Sequence, residues 1–103
     1  MVKTYTRKRI DILVDAPLCD WLVETAAAAG IGHYSFLSVH SGSGRAGTWR
    51  REDGFATVAK LLFIAMTNDA KIERFLDLLA PEIEKYGLVI AVCDVEVIRG
   101  ERF

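Results

Sequence analysis

The sequence predicts an α+β domain over residues 1–103, in which four strands and two helices follow the order βαββαβ. Four segments have the alternating or continuous apolar patterns that are typical of strands. Two further segments, after the first and the third strand, have apolar residues at helical spacing. A polar stretch over residues 41–55, rich in glycine and arginine, indicates a long loop between the second and third strands.

The first strand is predicted over residues 8–14, where isoleucines alternate with arginine and aspartate before the segment becomes fully apolar. Asp15 is predicted to be the N-cap of the first helix, because its carboxylate can accept hydrogen bonds from the free N–H groups of the first turn. Pro17 suits that turn, and Gly30 is expected to end the helix.

Aromatic and β-branched residues predict the second strand over residues 33–40. The third strand is predicted over residues 56–66, which are largely apolar at both odd and even positions. A second helix follows the polar residues 67–69, and Pro81 is expected to interrupt it before a short helical piece.

The fourth strand is predicted over residues 87–98, with residues 99–103 as a tail. The complete order is that of the ferredoxin-like unit, which has helices on one face of its sheet. Because the third and fourth strands are apolar on both faces, the face without helices needs another cover. A homo-oligomer built sheet against sheet is the simplest cover.

Composition restricts the classes of function. Thirteen basic and fourteen acidic residues give a net charge of −1, which argues against a general nucleic-acid binder. The sequence has neither an apolar signal region nor an apolar run long enough for a membrane span, so we expect a cytoplasmic protein without direct membrane insertion. Cys19 and Cys93 lie in apolar patterns without a CxxC spacing, which favours buried free thiols over a disulfide or a metal pair.

Residues 41–54, which read SGSGRAGTWRREDG, have a composition typical of an anion-binding loop. Glycines allow a close approach of the backbone to an anion, and arginines hold phosphate or carboxylate oxygens bidentately. A solvated hairpin connection is the alternative from composition alone. Trp49 supplies an apolar surface within this polar loop, which indicates contact with a ligand or a partner.

Catalytic and metal sites find little support in the sequence. His33 and His40 lie seven residues apart on one strand, on opposite faces and about 23 Å from each other, so they are not expected to share a metal. Asp94 and Glu96 lack a facing acid–base partner, and neither a nucleophile elbow nor a Walker loop is present. We therefore expect a chain that is not an enzyme.

The order of these elements resembles the PII superfamily of trimeric signalling proteins over residues 8–100. Residues 40–45, HSGSGR, stand where PII-like proteins have a Gly-x-Gly segment at the base of their T-loop. Residues 87–100, GLVIAVCDVEVIRG, look like the last strand of the bicarbonate-linked branch, which includes carboxysome-associated proteins. The resemblance implies adenine-nucleotide binding between neighbouring subunits, with a T-loop that responds to the nucleotide and engages partners.

The resemblance also implies site residues. The nucleotide would contact the Gly-x-Gly segment, the counterpart of the B-loop and the C-terminal tail, which gives Gly42, Ser43, Gly44, Arg45, Tyr86, Gly87, Arg99 and Arg102. Bicarbonate, another anion or a partner would contact His40, Gly47, Trp49, Arg50 and Arg51. The implied partners are two further copies of the chain and an unidentified protein, such as a transporter or a carboxysome component.

Two departures from the nitrogen-control PII pattern narrow the expectation. Residues 41–54 contain no tyrosine, which argues against control by uridylylation. The Gly-rich, Lys-containing B-loop is replaced by a segment with Glu82 and Glu84, so AMP or ADP is expected in preference to ATP. ATP and cyclic AMP stay as alternative ligands. Two rival hypotheses remain, namely a CutA-type metal-responsive trimer and a ferredoxin-like enzyme for a small molecule.

Overall fold

The computed structural model describes residues 1–44, 47–50 and 59–103. Within these residues, six strands and three helices follow one another, and short 3₁₀ turns flank several of them. They are β1 (Tyr5–Asp15), α1 (Cys19–Ala28), β2 (Ser35–Ser38), β3 (Ser41–Gly44), β4 (Gly47–Arg50), β5 (Lys60–Thr67), α2 (Asp69–Leu79), α3 (Ile83–Tyr86) and β6 (Val89–Val97).

Four of the strands form one antiparallel sheet in the order β2-β5-β1-β6, so β1 lies in the interior and β2 at an edge. Without the small β3–β4 pair, the element order is βαββαβ, and the predicted ferredoxin-like α+β class is confirmed. This register places the end of β1, the start of β5 and the start of β6 at the same end of the sheet. We call it the hairpin end, because the β3–β4 pair follows β2 there. The end of β2 lies there too, since Ser38 pairs with Leu61.

The core lies between the sheet and helices α1 and α2. Alternate residues of β1, namely Ile10, Ile12 and Val14, are buried on this side, as the sequence pattern predicted. Phe63 of β5 is fully buried, and its ring centroid lies 5.9 Å from that of Phe75 on α2. The large aromatic side chains therefore fix the helices on one face of the sheet.

The opposite face, which we call the open face, has apolar side chains from all four strands of the main sheet. Leu37, Leu62 and Leu13 follow one another across β2, β5 and β1, and Val89 continues the row on β6. Leu37 and Val89 are 51% and 61% exposed, although large apolar side chains are usually covered. The predicted second apolar face is therefore present, and the described residues of this one chain leave it uncovered.

The first helix begins later than predicted, and Asp15 does not cap it. The Asp15 side chain makes no cap hydrogen bond, a 3₁₀ turn spans Ala16–Leu18, and α1 starts at Cys19. The Asp15 carboxylate instead accepts a hydrogen bond from the Lys60 ammonium at 2.5 Å. Asp15 therefore makes a contact between β1 and β5 instead of the local cap hydrogen bond that the sequence predicted.

The second helix has the predicted polar start, because the Asn68 side chain accepts from the backbone N–H of Lys71 at 3.0 Å. Pro81 lies in the 3₁₀ turn that separates α2 from α3, as expected. Strand bounds differ by a few residues: β1 is longer than predicted, whereas β2 and β6 are shorter. The predicted start of the third strand at residue 56 lies outside the described residues.

The predicted long loop contains regular structure that the sequence reasoning missed. Strands β3 and β4 form an antiparallel pair, hereafter the hairpin, in which Gly42 is opposite Trp49 and Gly44 is opposite Gly47. Gly47 has a φ of +110°, a conformation that L side chains rarely adopt, and this accounts for a glycine at the start of β4.

Candidate functional site

The glycine-rich hairpin follows the edge strand β2 at the hairpin end of the sheet. The backbone N–H of Val39 donates to the carbonyl of Lys60 at 3.2 Å, so the pairing of β2 with β5 continues to the base of the hairpin. His40 is exposed between β2 and β3, and Arg50 is exposed at the end of β4. The hairpin thus presents predicted site residues at one end of the sheet.

Trp49 covers the glycines of β3. Its indole lies so close to Gly42 that a β-carbon on Gly42 would overlap the ring, and a β-carbon on Gly44 would contact the ring at 3.8 Å. Trp49 itself is half-buried, and its indole N–H is buried without a hydrogen-bond partner among the described residues. The aromatic side chain in this loop therefore packs against the loop's own backbone.

Lys60 links this indole to the sheet. Its ammonium lies 5.1 Å from the centroid of the Trp49 ring, within the range of a cation–π interaction, and it also pairs with Asp15 at 2.5 Å. The side chains of Lys60 and Asp15 are 27% and 35% exposed, so water screens their attraction only partly. Asp15, Lys60, Trp49 and Gly42 thus form a continuous set of contacts, which we call the Trp49 cluster.

Tyr86 and Gly87, the predicted B-loop counterpart, lie near the same end of the sheet, because they immediately precede β6. The Tyr86 ring packs edge-on against Trp21 of α1, with centroids 4.8 Å apart. Gly87 ends α3 in the left-handed conformation, with φ +61°, and a β-carbon there would meet nothing within 4 Å. The backbone at Gly87 is therefore open to a ligand or a partner.

Arg99 and Arg102 lie at the other end of the sheet, beyond the end of β6. The nine residues of β6 separate them from Gly87 by about 30 Å of extended chain. The tail is held there because the Arg7 guanidinium donates to the Gly100 carbonyl at 2.8 Å, and Gly100 packs directly against Tyr5. The two predicted parts of the nucleotide site are therefore far apart within one chain.

The sequence reasoning missed a surface groove of about 480 Å³ at this other end. It lies beside the start of β2, and the C-terminal Phe103 reaches across the sheet to line it. The residues that line it are Gly32, His33, Tyr34, Ser35, Ile64, Ala65, Met66 and Phe103. Only the tertiary structure brings residues from three distant segments together, so no local signal could have revealed the groove.

Some predictions for the site lie outside the described residues. Arg45 and Arg51, two of the three arginines of the loop, are among them. Within the described ranges, the histidines, cysteines and carboxylates form no group of three or more that could hold a metal ion. None of the described helices is long and apolar enough to cross a membrane.

Each face of the main sheet has an ion pair that includes a residue of β1. Arg9 and Asp11, two residues apart on β1, form a pair at 2.8 Å within the open face. Hydrogen bonding to Asp11 and its charge raise the pKa of Arg9. The ammonium of Lys8 lies 2.5 Å from Asp94 of β6, and this hydrogen bond and charge likewise raise the pKa of Lys8.

The cysteines are free thiols, as predicted, but they differ in burial. Cys19 is half-buried at the start of α1, and burial, with a smaller effect of Asp20, raises the pKa of its thiol. Cys93 is exposed, which corrects the prediction that both thiols are buried within the chain. It lies on the open face opposite Arg9 of β1.

A family model described as nitrogen regulatory protein P-II matches residues 7–102, nearly the whole chain. The chain belongs to the P-II family. No curated protein matches the sequence. The resemblance on residues 8–100 is therefore confirmed at the level of the family.

Solved structures of P-II-like proteins share the fold. CPII from Thiomonas intermedia K12, solved with ADP, AMP and bicarbonate, superposes with a TM-score of 0.90 at 23% identity, over 100% of this chain and 98% of that one. A putative PII-like signalling protein from Thermus thermophilus gives 0.77 at 20% identity, over 99% of both chains. The GlnK–ATP complex of Bacillus subtilis gives 0.62 at 13% identity, over 92% and 84%.

Proposed function

We propose that this P-II-family chain forms a homotrimer that binds ADP or AMP, together with bicarbonate, in clefts between its subunits. The observation that carries the proposal is the distribution of the predicted site along the sheet. The glycines of the hairpin and Gly87 lie at one end, whereas Arg99 and Arg102 lie at the other. A ligand that touches both groups needs the tail of a neighbouring subunit.

The open face supports the trimer. Its apolar side chains run across all four strands of the main sheet, and Leu37 and Val89 are more than half exposed. A small domain gains stability when such a face is covered. Two further copies of the chain would cover the face and bring each tail towards a neighbouring hairpin.

Each part of the site has a role that its chemistry suits. The backbone N–H groups of Gly42, Ser43 and Gly44 would donate to phosphate oxygens, and Arg50 would add charge at the end of β4. Arg99 and Arg102 would neutralise the phosphates from the neighbouring subunit. Arg45 and Arg51, together with His40 and Gly47, complete the proposed contacts with phosphate, bicarbonate or a partner.

The nature of the ligand follows from charge and from the relatives. Glu82 and Glu84 precede Gly87 by five and three residues, and their negative charge would disfavour the triphosphate of ATP relative to ADP or AMP. Structures of CPII hold ADP and AMP with bicarbonate, and ADP and AMP with acetate. A small carboxylate-like anion beside a nucleotide is therefore the expected combination.

We further propose that the protein signals rather than catalyses. Ligand contacts along residues 42–51 would set the conformation of the loop, and the loop would then present or withhold a surface for a protein partner. Because the ligands include bicarbonate, that partner would act in inorganic-carbon metabolism, as a transporter or a carboxysome component. The protein would act in the cytoplasm.

Calorimetry with AMP, ADP, ATP and cyclic AMP, each with and without bicarbonate, tests the ligand. We expect ADP and AMP to bind more tightly than ATP, and bicarbonate to strengthen their binding. Failure of all four nucleotides to bind below millimolar concentration would overturn the proposal. Arg74→Ala, a change on the exposed side of α2, is the control for a general effect of removing an arginine.

Mixed trimers test whether the site lies between subunits. Arg50→Ala and Arg102→Ala should each weaken ADP binding. When the two variants are refolded together, about a quarter of the sites should regain full affinity, because each half is intact in half of the chains. A mixture that binds no better than its components would place both arginines in one subunit's site or outside the site.

A further inference from the structure

The glycines of β3 favour ligand binding on only one face of the hairpin. A glycine lets another group approach the backbone closely on the side where other residues have a β-carbon. Gly42 and Gly44 are two residues apart on one strand, so these sides point to the same face of the hairpin. A ligand that exploits both glycines must approach from that face.

The Trp49 indole already occupies this face. A β-carbon on Gly42 would overlap the ring, and the ring also reaches the equivalent position at Gly44. Trp49 and Gly42 are direct cross-strand partners, and an aromatic ring over a glycine is a stable arrangement in paired strands. The indole and a ligand therefore cannot occupy the glycine face at the same time.

We propose that Trp49 is an internal competitor of the ligand, a latch that covers the glycine face until a nucleotide displaces it. This inference rests on the proposed nucleotide function. Trp49 then acts as a positioning residue, because it contacts the hairpin backbone rather than the phosphates. In this proposal Trp49 opposes ligand binding, whereas the sequence indicated that Trp49 contacts a ligand or a partner.

The Trp49 cluster explains why the indole stays in place without ligand. The Lys60 ammonium lies 5.1 Å from the ring centroid, and its ion pair with Asp15 ties it to the end of β1. The buried indole N–H has no partner among the described residues, and release of the ring would allow this group to donate to water. The contact with Lys60 thus favours the docked ring, whereas the hydrogen bond that the indole N–H can make to water favours the released ring. A contact with these opposing contributions can both form and break.

Fluorescence of Trp49 tests the docked position without any ligand. Trp21→Phe leaves Trp49 as the single tryptophan and keeps an aromatic ring beside Tyr86. In this background, Gly42→Ala should shift the emission to the red and increase quenching by acrylamide, because the added methyl group displaces the ring. Gly44→Ala is the matched control, since its methyl group makes only an ordinary contact. Equal spectra for the two variants would overturn the docking.

Titration with ADP tests the competition. We expect saturating ADP to expose Trp49 to acrylamide, and Trp49→Ala to bind ADP about fivefold more tightly, because the ligand no longer breaks the ring's contacts. Weaker binding by Trp49→Ala would make Trp49 a ligand contact and overturn the latch. Unchanged Trp49 fluorescence while calorimetry reports full occupancy would also overturn it, and the nucleotide function would stand.

The two proposals fail in different ways. If calorimetry finds no nucleotide binding to the wild-type protein or to Trp49→Ala, the proposed function is overturned and the latch falls with it. If both proteins bind ADP with equal affinity, only the latch is overturned. Circular dichroism of Trp49→Ala should match the wild type, because the main sheet and its core lie outside the hairpin.

Discussion

A charge on the open face should dissociate the assembly, and two leucines of similar exposure provide the test. Leu37 on β2 is 51% exposed and belongs to the open face, whereas Leu78 on α2 is 44% exposed and lies on the helical side. Leu37→Glu and Leu78→Glu make the same chemical change. Only Leu37→Glu places a carboxylate in the proposed interface between subunits.

The size of the effect follows from burial and charge. Covering the exposed half of a leucine side chain contributes roughly 1 kcal/mol, about half the value for burying the complete side chain. A carboxylate without a partner in an interface costs several kcal/mol more. Leu37→Glu should therefore weaken each interface by at least about 3 kcal/mol, which corresponds to a dissociation constant more than roughly 100-fold larger.

Sedimentation velocity over a range of protein concentrations measures this difference. We expect the wild type and Leu78→Glu to sediment as trimers at micromolar concentration, and Leu37→Glu to sediment as monomers. Circular dichroism checks that the Leu37→Glu monomer keeps its secondary structure. A folded Leu37→Glu protein that remains trimeric would refute the assignment of the open face to the interface.

Three further predictions concern the core, the thiols and the pH dependence. Phe63→Ala should lower the free energy of unfolding by about 3–5 kcal/mol in urea denaturation, because the buried ring would leave a cavity; a loss below about 1 kcal/mol would contradict its central place in the core. Cys93 should react with iodoacetamide in the dissociated variant and be protected in the trimer, whereas Cys19 should react slowly in both until alkaline pH, because burial raises the pKa of its thiol. Lys8 has a raised pKa, so its pairing with Asp94 should stabilise the protein at neutral pH and be lost as the pH rises above 10.5 through that raised value. The stability difference between the wild type and Asp94→Asn should vanish over that range, and a difference that persists would point to another role for Asp94.

The sequence predicted the main sheet and its helices because their signals are local and repeated. Alternation along β1 identified Ile10 and Ile12 as core residues, and both are fully buried. The double apolar pattern of β5 predicted an open face, and the structure has one. The predicted loop also lies between β2 and β5 in the structure. The order of the elements could be predicted because it depends on the order of the apolar patterns along the chain and not on their exact bounds.

The missed features depend on contacts between distant residues. Asp15 had the residue type of an N-cap, but Lys60 approaches it only when β1 pairs with β5. The β3–β4 hairpin lacks the alternation of ordinary strands, since Gly42 and Gly44 have no side chains to alternate. Its stabilising contact is the cross-strand pair of Gly42 with Trp49, and the composition of the loop could not reveal that pairing.

The ion pair of Arg9 with Asp11 limits how the open face can associate. Its charges lie on β1, one of the two interior strands of the main sheet, between apolar side chains of β5 and β6 on the same face. A partner surface that covers this face in an arbitrary register would remove water from the two charges without offering them polar groups. This desolvation costs free energy. Only a mating surface that leaves the pair intact, or offers it polar groups, avoids that cost. The pair therefore restricts which surfaces can bind to this apolar face. It favours a closed assembly with one register over open-ended aggregation.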